Sequence, residues 1–130
     1  MESLLNKKVE NPKQLSPQTL AFVGDTVYDL LVRGYLASTA QRPVGELNRQ
    51  KVKLVNCEAQ AEAFKKLTSS LTEEEIDIYR RGRNAFTKNT PKNSSVADYH
   101  SATGLEALFG FLYLKGDIDR INNLFTIIIS

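Results

Sequence analysis

The chain has no tryptophan, one cysteine, one methionine and one histidine in 130 residues. With aromatics at 8% and no Trp, nothing suggests a platform of rings for stacking bases. A single Cys57 excludes an internal disulfide and suits a reducing compartment; within a helical pattern it reads as a small core residue. One Cys and one His cannot assemble a zinc site. No apolar run is long enough to span a bilayer. Met1 to Val9 offers only the apolar pair Leu4-Leu5, so no signal peptide is expected and the chain is expected to be cytoplasmic. The sequon Asn93-Ser94-Ser95 then has no meaning. Net charge is only +2, too weak by itself to argue for nucleic acid, so the distribution of charge has to decide.

What is present is helical periodicity. Ser16-Pro17 is a helix start, and a helix is expected from Pro17 to Ala37 with Phe22, Val23, Val27, Leu30 and Leu31 facing a core or a dimer interface. After the break at Arg42-Pro43, a second helix is expected from Val44 to Thr68. Its apolar side is Leu47, Val52, Val55, Ala59, Ala63 and Leu67, and its basic side includes Asn48, Arg49, Lys51 and Lys53. Thr72-Glu73-Glu74-Glu75 is a capping box for a short helix to Arg83. Ser95 or Asp98 caps a further helix to Leu114. Gly116-Asp117 makes a turn, and Asp119 to Ile129 is a last helix or apolar tail whose isoleucines should be buried. No alternating strand, repeat or linker appears. The reading is one all-α domain over residues 1–130, large enough to bury a core.

Two of these helices carry an acid among apolar residues. Leu20-Ala-Phe-Val-Gly-Asp25-Thr-Val-Tyr-Asp-Leu-Leu31 places Asp25 beside Gly24 at the centre, and Thr103-Gly-Leu-Glu106-Ala-Leu-Phe-Gly110 places Glu106 among small residues that admit a close helix neighbour. A buried carboxylate is costly unless paired or bound to a metal. Two readings stand. Asp25, Asp29 and Arg33 lie four apart and could form a solvated stripe with a helix ion pair, and Glu106 could be exposed likewise. Alternatively Asp25 and Glu106 converge on a divalent cation, for which oxygen ligands suit Mg²⁺ or Mn²⁺.

The third feature is a basic run. Arg80, Arg81, Arg83, Lys88 and Lys92 fall in a stretch with no Asp or Glu between Asp77 and Asp98 and with many Ser, Thr and Asn, Asn84 among them. That composition suits phosphate and sugar contacts, with Arg49 extending the patch, and fits reading the shape of double-stranded RNA better than reading bases. His100 reads as a surface or capping histidine.

Together these pieces resemble the ribonuclease III family. Leu20-Ala-Phe-Val-Gly-Asp25 looks like its Phe-x-Gly-Asp signature, and Glu106-Ala-Leu-Phe-Gly110 looks like its second acidic helix. Arg80-Arg-Gly-Arg-Asn-Ala85, Thr90-Pro-Lys-Asn93 and Tyr99-x-x-Ala-Thr-Gly104 are similar to the short form, Mini-ribonuclease III. The resemblance covers nearly the whole chain. It implies a homodimeric, all-α endonuclease for double-stranded RNA, with no separate RNA-binding domain. Asp25 and Glu106 would be its catalytic residues and metal ligands, and Mg²⁺, or Mn²⁺ in its place, its cofactor. Arg80, Arg81, Arg83, Asn84, Lys88, Lys92 and Arg49 would be RNA contacts. In-line hydrolysis would leave 5′-phosphate products. The implied substrate is precursor large-subunit (23S) ribosomal RNA, which a ribosomal protein could present.

The chain departs from the larger relatives. Where they carry acids one and two turns before Asp25, it has Ala21 and Gln18, and one turn before Glu106 it has Thr103. An acid expected near Val44 has only Glu46 close by. Glu46 and Asp98 are therefore candidates for a supporting role behind the metal ligands. The missing acids leave open a non-cleaving double-stranded-RNA or ribosome-binding module. A metal-dependent nucleotide pyrophosphohydrolase would need clustered acids, and Glu73-Glu74-Glu75 reads as a helix start.

Overall fold

The computed structural model describes residues 4, 5, 7–85 and 95–130. Among these residues a 3₁₀ turn at Pro12–Gln14 leads into six α-helices: α1 Pro17–Thr39, α2 Val44–Val55, α3 Cys57–Leu67, α4 Glu73–Arg83, α5 Val96–Lys115 and α6 Ile118–Ile129. Among the described residues there is no strand. Local chemistry sets most boundaries. The Ser16 and Ser95 hydroxyls accept from the N–H groups of Thr19 and Asp98, at 3.1 and 3.0 Å. Thr72 and Glu75 cap each other reciprocally, at 3.1 and 2.9 Å. Gly116, at φ 87°, ends α5 in the left-handed conformation, and the Asp117 N–H returns to the Leu112 carbonyl at 2.9 Å.

The expected helix from Val44 to Thr68 is two helices. Asn56 interrupts it: its side chain donates to the Val52 carbonyl at 3.1 Å and accepts from the Ala59 N–H at 2.8 Å. One asparagine thus ends α2 and caps α3, with neither proline nor glycine to announce the break.

α5 is the centre of the bundle, and α1, α3, α4 and α6 all pack on it. Leu105, Leu108, Phe109, Phe111 and Leu112 are all buried, and Phe109 meets Tyr28 of α1 edge-on at 5.3 Å between centroids. Where α1 crosses α5 there are no side chains at all. A methyl group on Gly24 would overlap the Glu106 carbonyl, and one on Gly110 would overlap that of Leu20. The backbones touch because both residues are glycine.

This crossing decides which side of α1 is buried. Leu20, Gly24, Tyr28, Val32 and Leu36 form the inward stripe. Of the residues expected at a core or a dimer interface, two lie outside this core: Phe22 is 79% exposed and Leu30 63%. In α2 the expected core residue Val52 is exposed, and its neighbour Leu54 packs against the core instead. Of the terminal isoleucines, Ile127 and Ile128 are half-buried while Ile129 is exposed, and Lys66 holds that end through the carbonyls of Ile128 and Ser130 at 3.0 and 3.1 Å.

Two acids of α4, Glu74 and Glu75, are structural. Glu75 is 4% exposed and takes both arms of Arg120 at 2.8 Å. Burial pushes its carboxyl up, but Arg120 and the Thr72 N–H outweigh this and hold it below the ordinary range. Glu74 pairs with Lys13 and Lys115. No acid cluster is left on α4 to serve a pyrophosphohydrolase.

Candidate active site

Asp25 and Glu106 meet across the glycine crossing, in one cleft of about 260 Å³. Gly24 and Gly110 hold α1 and α5 at backbone contact, so residues flanking the crossing on the two helices face each other. Asp25 is exposed rather than buried, because its buried neighbour is the glycine and the acid lies beside the inward stripe. Glu106 is half-buried. Its carboxyl is pushed up to about 8, first by burial, then by the charge of Asp25 and a hydrogen bond with it, while Gln60 opposes the shift. The solvated-stripe reading therefore describes Asp29 and Arg33, which pair at 2.6 Å, but not Asp25.

A carboxyl that resists ionising in the fold makes stability depend on pH. Between about 4.5 and about 8 the folded chain keeps a proton on Glu106 that the unfolded chain has lost. Stability therefore falls as pH rises through that window and levels off above it. In EDTA, the parent protein is expected to lose on the order of 3 kcal/mol between pH 5 and pH 8.5 relative to Glu106→Gln, which has no proton to lose there. Denaturant unfolding of both proteins across that range measures it, and parallel curves would contradict the account.

Gln18, Ala21 and Thr103 line the same cleft, so the positions that hold acids in larger relatives face the site here without carboxylates. Among the described residues no group of three or more His, Cys, Asp or Glu is arranged to hold a metal. The oxygen donors are Asp25 and Glu106. Two mutually repelling carboxylates with no thiolate fit a hard divalent cation bound by few protein ligands, with the rest of its shell left to water and phosphate. Glu46 is held instead by Arg49 at 2.6 Å and by Gln50 at 2.8 Å, and lines no part of the cleft. Asp98, in the first turn of α5, lines no part of it either. Tyr99 and His100 do, so His100 stands in the wall of the site rather than at a helix cap.

The basic run divides. Arg80 and Arg83 are exposed on the last turn of α4, with Arg83 over the Tyr79 ring at 5.8 Å. Asn84 ends that helix and accepts from Arg83 at 3.3 Å. Arg81 is no free phosphate ligand: it donates to the carbonyls of Lys13 and Leu15 at 3.0 and 3.2 Å and ties down the N-terminal segment. Arg49 is engaged by Glu46. Lys88 and Lys92 lie outside the described residues. The chain leaves α4 through Ala85, which lines the cleft.

Gln60, on α3, escapes a reading by composition. It is 3% exposed, and its amide donates to the Val55 carbonyl at 2.9 Å and to the Glu106 carboxylate at 3.4 Å. The available signal was a long polar amide between Ala59 and Ala61, on the apolar side of its helix.

Residues 18–117 match the model of the Ribonuclease III domain. A Mini-ribonuclease 3 of Thermoanaerobacter sp. (strain X514) is 46% identical over 115 residues, covering 88% of this chain and 81% of that one. The Mini-ribonuclease 3 of Symbiobacterium thermophilum is 40% identical over 117 residues, 90% of each. A crystal structure of a Fusobacterium nucleatum protein, 30% identical, superposes with a TM-score of 0.83 over 93% of this chain and 97% of that one. With its signature acids brought into one cleft by the same fold, the chain belongs to the ribonuclease III family, among the Mini-ribonuclease 3 endoribonucleases.

Proposed function

We propose that the protein is a divalent-metal-dependent endonuclease of double-stranded RNA that works as a homodimer in the maturation of precursor 23S ribosomal RNA. The observation that carries this reading is the convergence of Asp25 and Glu106 in one cleft. Asp25 and Glu106 would hold Mg²⁺, or Mn²⁺ in its place. The chemistry supplied by a bound divalent cation is Lewis-acid activation of water and neutralisation of charge on the phosphate. Arg80 and Arg83, exposed on the last turn of α4, together with Lys88 and Lys92, would contact the duplex backbone and make binding salt-dependent. Asn84, at the end of α4, would join these contacts. In-line hydrolysis leaves a 5′-phosphate and a 3′-hydroxyl.

The exposed side of α1 supports the proposed dimer. Phe22 lines the cleft, and Leu30 lies two turns further along the same face. A second copy would cover both and set two sites side by side for the two strands. Ribosomal RNA, the cytoplasm and a presenting ribosomal protein rest on the family. No helix among the described residues is long and apolar enough to cross a membrane.

The presence of only two carboxylates in the cleft favours a second reading, a binder that does not cut. Cleavage of an end-labelled duplex separates the two. Mg²⁺ is expected to support cutting of duplex but not of single strand, and EDTA to reduce it to background. Duplex and ribosomal precursor that are bound but left intact in Mg²⁺, with and without ribosomal protein, would establish the binder.

A further inference from the structure

Gln60 sits where two problems of the fold meet. The break at Asn56 diverts the Ala59 N–H to the Asn56 side chain, which leaves the Val55 carbonyl without its helical partner. One N–H of the buried Gln60 amide takes that carbonyl at 2.9 Å, and the other reaches the Glu106 carboxylate, at a longer 3.4 Å. The Val55 carbonyl can only accept, so the amide must face it with its nitrogen. A flipped amide would set its oxygen against that carbonyl. The consequence is visible: Gln60 Oε1 is a buried side-chain oxygen with no hydrogen-bond partner among the described residues. An amide held in this orientation at the expense of its own acceptor is placed for its donors.

We infer that Gln60 is a positioning residue for the metal site, fixing the Glu106 carboxylate in its ligating orientation by a hydrogen bond anchored in the α2–α3 break. This rests on the proposed metal role of Asp25 and Glu106. Asp25, by contrast, is exposed on α1. With only two carboxylates in the cleft, freedom at Glu106 is not made up by another ligand. Outer-shell hydrogen bonds to ligating groups typically change metal affinity about 10–100-fold. The bond favours the ionised carboxylate, the form that binds a cation.

Mn²⁺ binding to the RNA-free protein, followed by electron paramagnetic resonance, tests this apart from turnover. Gln60→Met keeps the length and removes the donor, and is expected to weaken Mn²⁺ binding about tenfold or more. Excess Mn²⁺ should then restore most of kcat. Asn56→Ala is the structural control. It loosens the same break and lowers thermal stability, but leaves the donor to Glu106 in place, so its Mn²⁺ affinity should stay within about twofold of the parent. If Gln60→Met binds Mn²⁺ like the parent while Asp25→Asn does not bind, the assignment of Gln60 fails and the metal site stands. The same assignment fails if the two helix-break variants lose affinity in proportion to lost stability. Mn²⁺ binding that Asp25→Asn leaves unchanged overturns the metal reading itself, and the role of Gln60 with it.

Discussion

Asp25→Asn is expected to lower duplex cleavage by about 10³-fold or more while making the metal-free protein no less stable than the parent. A thousandfold loss corresponds to about 4 kcal/mol of transition-state stabilisation, a reasonable share for one of two carboxylates holding a catalytic cation. The stability half of the prediction is the more discriminating. Asp25 is exposed, so its replacement opens no cavity. Its charge is the second cause, after burial, of the raised Glu106 carboxyl. Removing that charge lets Glu106 ionise more readily, and at pH 8 in EDTA the variant should melt at or above the parent temperature. A residue kept for structure would show the opposite sign, and gain of stability with loss of activity marks a functional site. Cleavage at the parent rate would end the metal-ligand assignment.

The second large effect is expected at Gly24. Gly24→Ala forces a methyl group into the Glu106 carbonyl, and the obstacle is backbone on both sides. No rotamer change relieves it, so α1 and α5 must part. We expect a loss of about 3 kcal/mol or more, a large fraction of the 5–15 kcal/mol of a typical domain, and a melting temperature lower by roughly 10 °C. Cleavage should fail along with it, since the displaced carbonyl belongs to Glu106. Gly34→Ala, on the same helix, is the contrast. Nothing lies within 4 Å of its added methyl, so it should stabilise by about 0.5–1 kcal/mol. Thermal melts of the two variants side by side measure both effects, and equal melting temperatures would show that the crossing is not backbone-limited.

These two glycines also explain what could be read before the structure. Side-chain caps act within four residues, so Ser16 and Thr72 mark their helix starts in the sequence, and of the two candidates Ser95 and Asp98 it is Ser95 that caps α5. Asn56 acts by the same chemistry, but it sits in an unbroken helical pattern and so was not recognisable as a boundary. Burial is harder still. Apolar residues lie on every side of α1, and it is the partner helix that chooses among them. The choice fell on the stripe through Gly24, which left Phe22 and Leu30 outside. The pairing of Asp25 with Glu106 was legible through the motifs that surround them. The support from Gln60 was not, because a lone buried amide carries no spacing to betray it.

The placement of α5 has a consequence for synthesis. It is the fifth of six helices, yet α1, α3, α4 and α6 all find their packing partner in it. While a ribosome is still making the first four, they have little apolar surface to share except with one another, and α1 has nothing to seat its glycine stripe. Folding must wait for residue 115 to emerge, and then joins segments far apart in the chain. Until α5 is made, Asp25 has no Glu106 to face across the glycine crossing.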